Sequence, residues 1–167
     1  MKKYWTMITR EYINHWTVCN GVREYVSNML DSPAAAEYEI GDDFVILTSK
    51  DITLPATIFT MGYSQNRKDD EAVGTFGEGV LVAMVPLLRE GKGLHFINGD
   101  VIWKPVFEFN EALDIEVLVI NEEPNPYPTN NYCVAIDNLT PDEIQEIRES
   151  CVYFRDDLGE VLDGHIG

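Results

Sequence analysis

Between Thr9 and Asp31 the chain alternates apolar and polar residues with a helical period. With Glu24 at zero and a step of about 100° per residue, Val18, Cys19, Val22, Val26 and Met29 fall on one side, with Leu30 at its margin. Asn20, Glu24, Asn28 and Asp31 gather on the opposite side, and Pro33 stops the pattern. This predicts a buried helix, Thr9–Asp31, whose polar stripe faces a cavity. The run Asp43–Thr48 (DFVILT) is short and β-rich, as a central strand would be. Leu54, Ile58 and Met61 predict a short helical turn within Thr53–Gly62. Ser64–Glu71 is polar throughout and reads as a mobile loop. Gly74–Gly79 (GTFGEG) then reads as a glycine-rich turn opening a second apolar helix, Val80–Leu88, which Gly91 and Gly93 end.

The remainder is mostly strand. Leu94–Ile97 and Val101–Phe109 flank Asn98-Gly99, a strong hairpin signal. Ile115–Asn121 and Tyr132–Ile136 follow, separated by a loop rich in proline and asparagine. A last helix opens on Thr140-Pro141-Asp142-Glu143, which supplies an N-cap, a first-turn proline and a capping-box glutamate. Its apolar stripe is Ile144, Ile147, Cys151 and Val152. The order of elements implies an α/β (α+β) two-layer sandwich, with a mixed, mostly antiparallel sheet and helices packed on one face. A single domain is expected over residues 1–155, followed by an acidic C-terminal tail, 156–167.

Composition narrows the function. The 167 residues suffice for one complete core. Twelve basic against twenty-nine acidic residues leave a net charge of −17, a field that repels nucleic-acid phosphates and anionic membranes. Direct nucleic-acid binding is therefore not expected. The acidic surface serves solubility, or it mimics DNA or docks on a basic protein partner. An anionic ligand such as ATP needs local screening by Mg2+ and backbone N–H groups. Three widely spaced cysteines and three isolated histidines form no zinc or disulfide framework. The N-terminal MKKYWTMITREY lacks the apolar run of a signal peptide, and no stretch is long enough for a membrane span, so a cytoplasmic location is expected.

Two local patterns carry candidate chemistry. Glu24 and Asn28 stand one helical turn apart, so both can reach one ligand. A carboxylate can polarise water, and an amide oxygen is a hard ligand suited to Mg2+. Read alone, the pair is first of all a solvent-facing polar stripe. In Gly74-Thr75-Phe76-Gly77-Glu78-Gly79 the glycines let backbone approach phosphate oxygens, and the following helix adds unpaired N–H donors. Gly79 is also a position where φ angles that alanine resists are expected. Read alone, this segment is equally a turn and a helix cap. No Gly-Lys-Ser/Thr follows it, so it is not a P-loop.

Taken together and in order, the patterns resemble a known superfamily. VREYVSNMLD is similar to the Glu/Asn helix of the GHKL ATPases (gyrase, heat-shock chaperones, histidine kinases, mismatch-repair proteins), whose nucleotide domain is the Bergerat fold. AVGTFGEG resembles that superfamily's phosphate loop, and MGYSQNRKDD its flexible lid. The resemblance covers roughly Tyr12 to Pro86. It implies an ATP- or purine-nucleotide-binding domain using Mg2+, with Glu24 as water activator and Asn28 as Mg2+ ligand. It further assigns Asp31, Ser64, Lys68, Gly74, Phe76, Gly77 and Gly79 to the nucleotide site. The superfamily's adenine-binding Asp aligns with Ser49, or with Asp51 after a small shift in register. A Lys found in many relatives two residues beyond the loop is Leu81 here, leaving Arg67 and Lys68 as nearby cations. These departures point to slow or absent ATP hydrolysis. The rival readings are a non-enzymatic acidic interaction or inhibitor protein on the same fold, and a sensor of another nucleotide.

Overall fold

The computed structural model describes residues 1–60 and 76–151, and of residues 76–78 the backbone alone. Seven strands form one sheet: β1 (Lys2–Thr9), β2 (Ala36–Ile40), β3 (Val45–Ser49), β4 (Gly93–Asn98), β5 (Val101–Asn110), β6 (Ile115–Pro124) and β7 (Tyr132–Asp137). Three α-helices accompany them, α1 (Val18–Asp31), α2 (Phe76–Arg89) and α3 (Pro141–Ser150), with a short 3-10 turn at Ala56–Phe59.

The strand order is β1-β6-β5-β4-β7-β3-β2, and every neighbouring pair is antiparallel. The mixed, mostly antiparallel sheet expected from sequence is antiparallel throughout the described residues. The connections explain this: α1 carries the chain from one sheet edge, β1, to the other, β2, while β7 inserts between β3 and β4. No crossover returns a strand beside its own predecessor, the arrangement that makes parallel neighbours.

The helices and one sheet face share a single core. Val22 and Val26 of α1, Leu81, Met84 and Leu87 of α2, and Ile147 of α3 meet Leu47, Phe96, Trp103 and Ile136 of the sheet. Burial of α1 follows the sequence reading, with Val18, Cys19, Val22, Val26 and Met29 all inside. The α3 capping box forms as expected, Thr140 accepting from the Glu143 N–H while Glu143 accepts from the Thr140 N–H. Gly91, at φ 77, ends α2 in the left-handed region that glycine adopts without penalty.

Several boundaries differ from those read in the sequence. The helix expected over Thr9–Asp31 begins only at Val18, and the chain before it is β1 followed by a turn. Thr17 accounts for the later start: its side chain accepts from the Asn20 N–H, and Asn20 reciprocates by accepting from the Thr17 N–H. Upstream, Ile13 sits at φ 46, a conformation a β-branched residue cannot repeat through a helix. The Arg89 guanidinium holds this turn by donating to the carbonyls of Arg10, Tyr12 and Trp16. β2 was not anticipated; its alternating AEYEI pairs with β3. The second helix begins at Phe76, not Val80, so the end of the glycine segment is already helical. The hairpin turns at Gly99-Asp100, because Asn98 stays in β4 opposite Val101.

Candidate functional site

The capping box that starts α1 fixes the rotation of its polar stripe. Asn20, at the near end of that stripe, is occupied as the capping partner of Thr17. One turn later Glu24 is half-buried, and another turn on so is Asn28, while Asp31 is exposed at the helix end. Burial pushes the Glu24 carboxyl above its ordinary value of 4.5, and the like charge of Asp31 adds to the shift. No donor among the described residues offsets this. The Asn28 Nδ2 is buried without a hydrogen-bond partner among the described residues.

Gly79, in the first turn of α2, comes against these two side chains. A Cβ built on it would lie 2.6 Å from Glu24 Oε2 and 3.6 Å from Asn28 Nδ2. The helices approach closely along this line, since a Cβ on Gly21 would stand 3.0 Å from the Ala83 carbonyl oxygen. A side chain at position 79 would therefore displace the Glu24 carboxylate. The expected need for unusual φ does not hold, because the positive-φ glycines of the described residues are Gly91 and Gly99.

The two residues weighed for base recognition part company. Ser49 is buried at the end of β3, in register with Ala36 on one side and Tyr132 on the other. Asp51 is exposed at φ 57, and its N–H donates to Asn131 Oδ1. The segment after β3 is held by Asn98, whose amide donates to the Leu54 carbonyl and accepts from the Leu54 N–H. Leu81, where a phosphate-binding Lys was considered, is fully buried in the core. That orientation gives a side chain at position 81 an apolar surrounding.

Ser64, Arg67, Lys68 and Gly74, with the loop Ser64–Glu71, lie outside the described residues, as does the tail 156–167. The side chain of Phe76 lies outside them too, while Gly77 belongs to the helical backbone of α2. The structure thus brings Glu24, Asn28 and Gly79 together, with Ser49 on the helix-facing side of the sheet and Asp51 at its rim.

Tyr25 escaped the sequence reading. It is buried next to Glu24, its hydroxyl donates to the Val80 carbonyl at 2.9 Å, and its ring meets Phe96 edge-on with centroids 5.6 Å apart. Burial, with the nearby Tyr132 and Glu24, holds its hydroxyl well above the ordinary tyrosine range, so it remains a donor. The available signal was its place on the helical wheel, about 100° from Glu24 and toward the Val22/Val26 face.

Compared with known proteins, the chain matches no family model and no curated protein.

Proposed function

We propose that the protein binds a purine nucleotide with Mg2+, ATP foremost, where the polar stripe of α1 meets the first turn of α2, with slow hydrolysis or none. The observation that carries this reading is the meeting of Glu24, Asn28 and Gly79, with Asn28 Nδ2 buried and lacking a partner among the described residues. A buried polar atom without a partner is costly, and a ligand that supplies one recovers that cost. The resemblance of VREYVSNMLD and GTFGEG to the GHKL motifs supports the same ligand.

The residues present fit Mg2+ in a limited way. Asn28 offers an amide whose oxygen and nitrogen exchange places by a flip, so it can turn Oδ1 toward a cation. Among the described residues no group of three His, Cys, Asp or Glu side chains stands ready to hold a metal. Mg2+ would therefore enter with the phosphates, keeping most of its waters, and would screen their charge. Glu24, lifted above the usual carboxylate range by burial, is the group suited to take a proton from water. Position 81 supplies no cation, and this favours binding over turnover.

The test is calorimetry with a panel of nucleotides, with and without Mg2+, on wild type and three variants. Gly79→Ala displaces Glu24 and crowds the phosphate approach, so affinity falls. Asn28→Ala reduces the gain from Mg2+. Glu24→Ala removes a carboxylate near the phosphates, so binding persists or tightens while any hydrolysis falls about 10²–10⁴-fold. Failure of the wild type to bind any purine nucleotide would contradict the proposal. The second reading, an interaction protein, draws on exposed Trp5, Met7, Phe109, Leu113 and Ile115 along β1 and the β5–β6 hairpin. A complex with a basic protein that weakens steeply with salt would favour its acidic form.

A further inference from the structure

We infer that Tyr25 is a positioning residue for this site, its hydroxyl fixing the first turn of α2 so that Gly79 stands against Glu24 and Asn28. The inference rests on the nucleotide-binding reading for its effect on affinity, and on geometry alone for its effect on α2. Three contacts tie the two helices along one line. Gly21 lets the backbones close to within 3.0 Å of a Cβ position, Tyr25 donates to Val80, and Glu24 abuts Gly79. The first and last are contacts of shape, and the core side chains Leu81, Met84 and Leu87 hold α2 beyond its first turn. The Tyr25 bond is directional, and it falls one residue after Gly79.

Tyr25 is itself held rigidly. Its ring lies edge-on to Phe96, which stacks on Tyr132 at 6.2 Å, so the hydroxyl is aimed from the sheet through α1 at the start of α2. Val80 also belongs to the helical ladder of α2, so its carbonyl does not need the tyrosine for simple satisfaction. The bond therefore orients the chain. Without it, α2's first turn samples positions in which Gly79 is off the Glu24–Asn28 face, and a ligand binds only the fraction in place.

Tyr25→Phe removes the hydroxyl and keeps the ring, leaving the Val80 carbonyl its helical partner. Thr140→Ala, at the α3 cap, provides a control that destabilises the fold by a comparable loss without touching the site. Amide hydrogen exchange at Gly79, Val80 and Leu81 is expected to quicken in Tyr25→Phe by about tenfold, with α1 and the end of α2 unchanged. Mg-ATP affinity by calorimetry should fall by a similar factor, while Thr140→Ala binds as wild type does. Equal affinity in wild type and Tyr25→Phe overturns the inference, as does exchange that is unchanged or quickened uniformly. Should wild type bind no purine nucleotide, the functional reading fails, and the exchange pattern alone decides whether Tyr25 positions α2.

Discussion

Two half-buried glutamates sit in opposite circumstances. Glu122, on β6, accepts from the Trp103 indole N–H at 2.9 Å and from the Tyr4 hydroxyl at 2.8 Å. Burial pushes its carboxyl upward, yet these donors, with Lys2 and the N-terminus, outweigh it and hold the group below its ordinary value. Glu24, on α1, meets burial and the like charge of Asp31, and its carboxyl is held above that value. The Glu122 network is closed, which is how a buried polar group serves the fold. Where α1 meets α2, the Asn28 Nδ2 is buried without a partner among the described residues, beside a carboxylate that none of them supports with a hydrogen bond. The two carboxylates thus separate into a structural anchor and a candidate site by the donors around them and by the deeper burial of Glu24.

The largest effect should come from the anchored end. Trp103 is fully buried and packs edge-on against Phe59 at 4.6 Å. Trp103→Ala should cost about 3–5 kcal/mol in denaturant unfolding, combining cavity formation with loss of the Glu122 donor. A loss below about 1 kcal/mol would show that the Glu122 network is not an anchor.

Smaller effects should have opposite sign. Glu122→Gln should destabilise by about 1 kcal/mol near neutral pH, because hydrogen bonds to a charged acceptor become neutral ones. With a lowered folded pKa, the Glu122 contribution is present above the ordinary 4.5 and is lost as pH falls through the folded value. Glu24 runs the other way: its contribution is full below 4.5 and is lost as pH rises through the raised folded value. Glu24→Gln should therefore stabilise the unliganded protein modestly at neutral pH and converge on wild type in acid. Urea unfolding across this pH range, with both variants shifting in the same direction, would erase the distinction between the two carboxylates.

Much of this contrast was legible in the sequence on the α1 side alone. Glu24 and Asn28 are four residues apart, so helical geometry places them on one face before any tertiary contact forms. That Gly79 meets them depends on how α1 and α2 close over Gly21 and Ala83, which no local pattern encodes. The helix was read too long because Tyr12, Ile13 and Trp16 continue the apolar spacing. What interrupts it is Ile13 at positive φ and a turn held by the distant Arg89. β1 was hidden for a related reason. Its outward Trp5 and Met7 are as apolar as its inward Tyr4 and Ile8, so the two-residue alternation of a strand is blurred. At Leu81 the sequence shows only an apolar position. That its side chain is directed into the core needed the packing of α2.

On the proposed function, the site of Glu24, Asn28 and Gly79 takes a phosphate-bearing ligand while the Glu122 network does not. The most direct measurement follows the Asn28 side-chain amide, the Gly79 backbone amide and the Trp103 indole N–H by nuclear magnetic resonance as Mg-ATP is added. Saturable shifts at Asn28 and Gly79, with the Trp103 signal unmoved, are the predicted result. Signals at Asn28 and Gly79 that stay fixed at millimolar Mg-ATP, or a shift confined to Trp103, would contradict it.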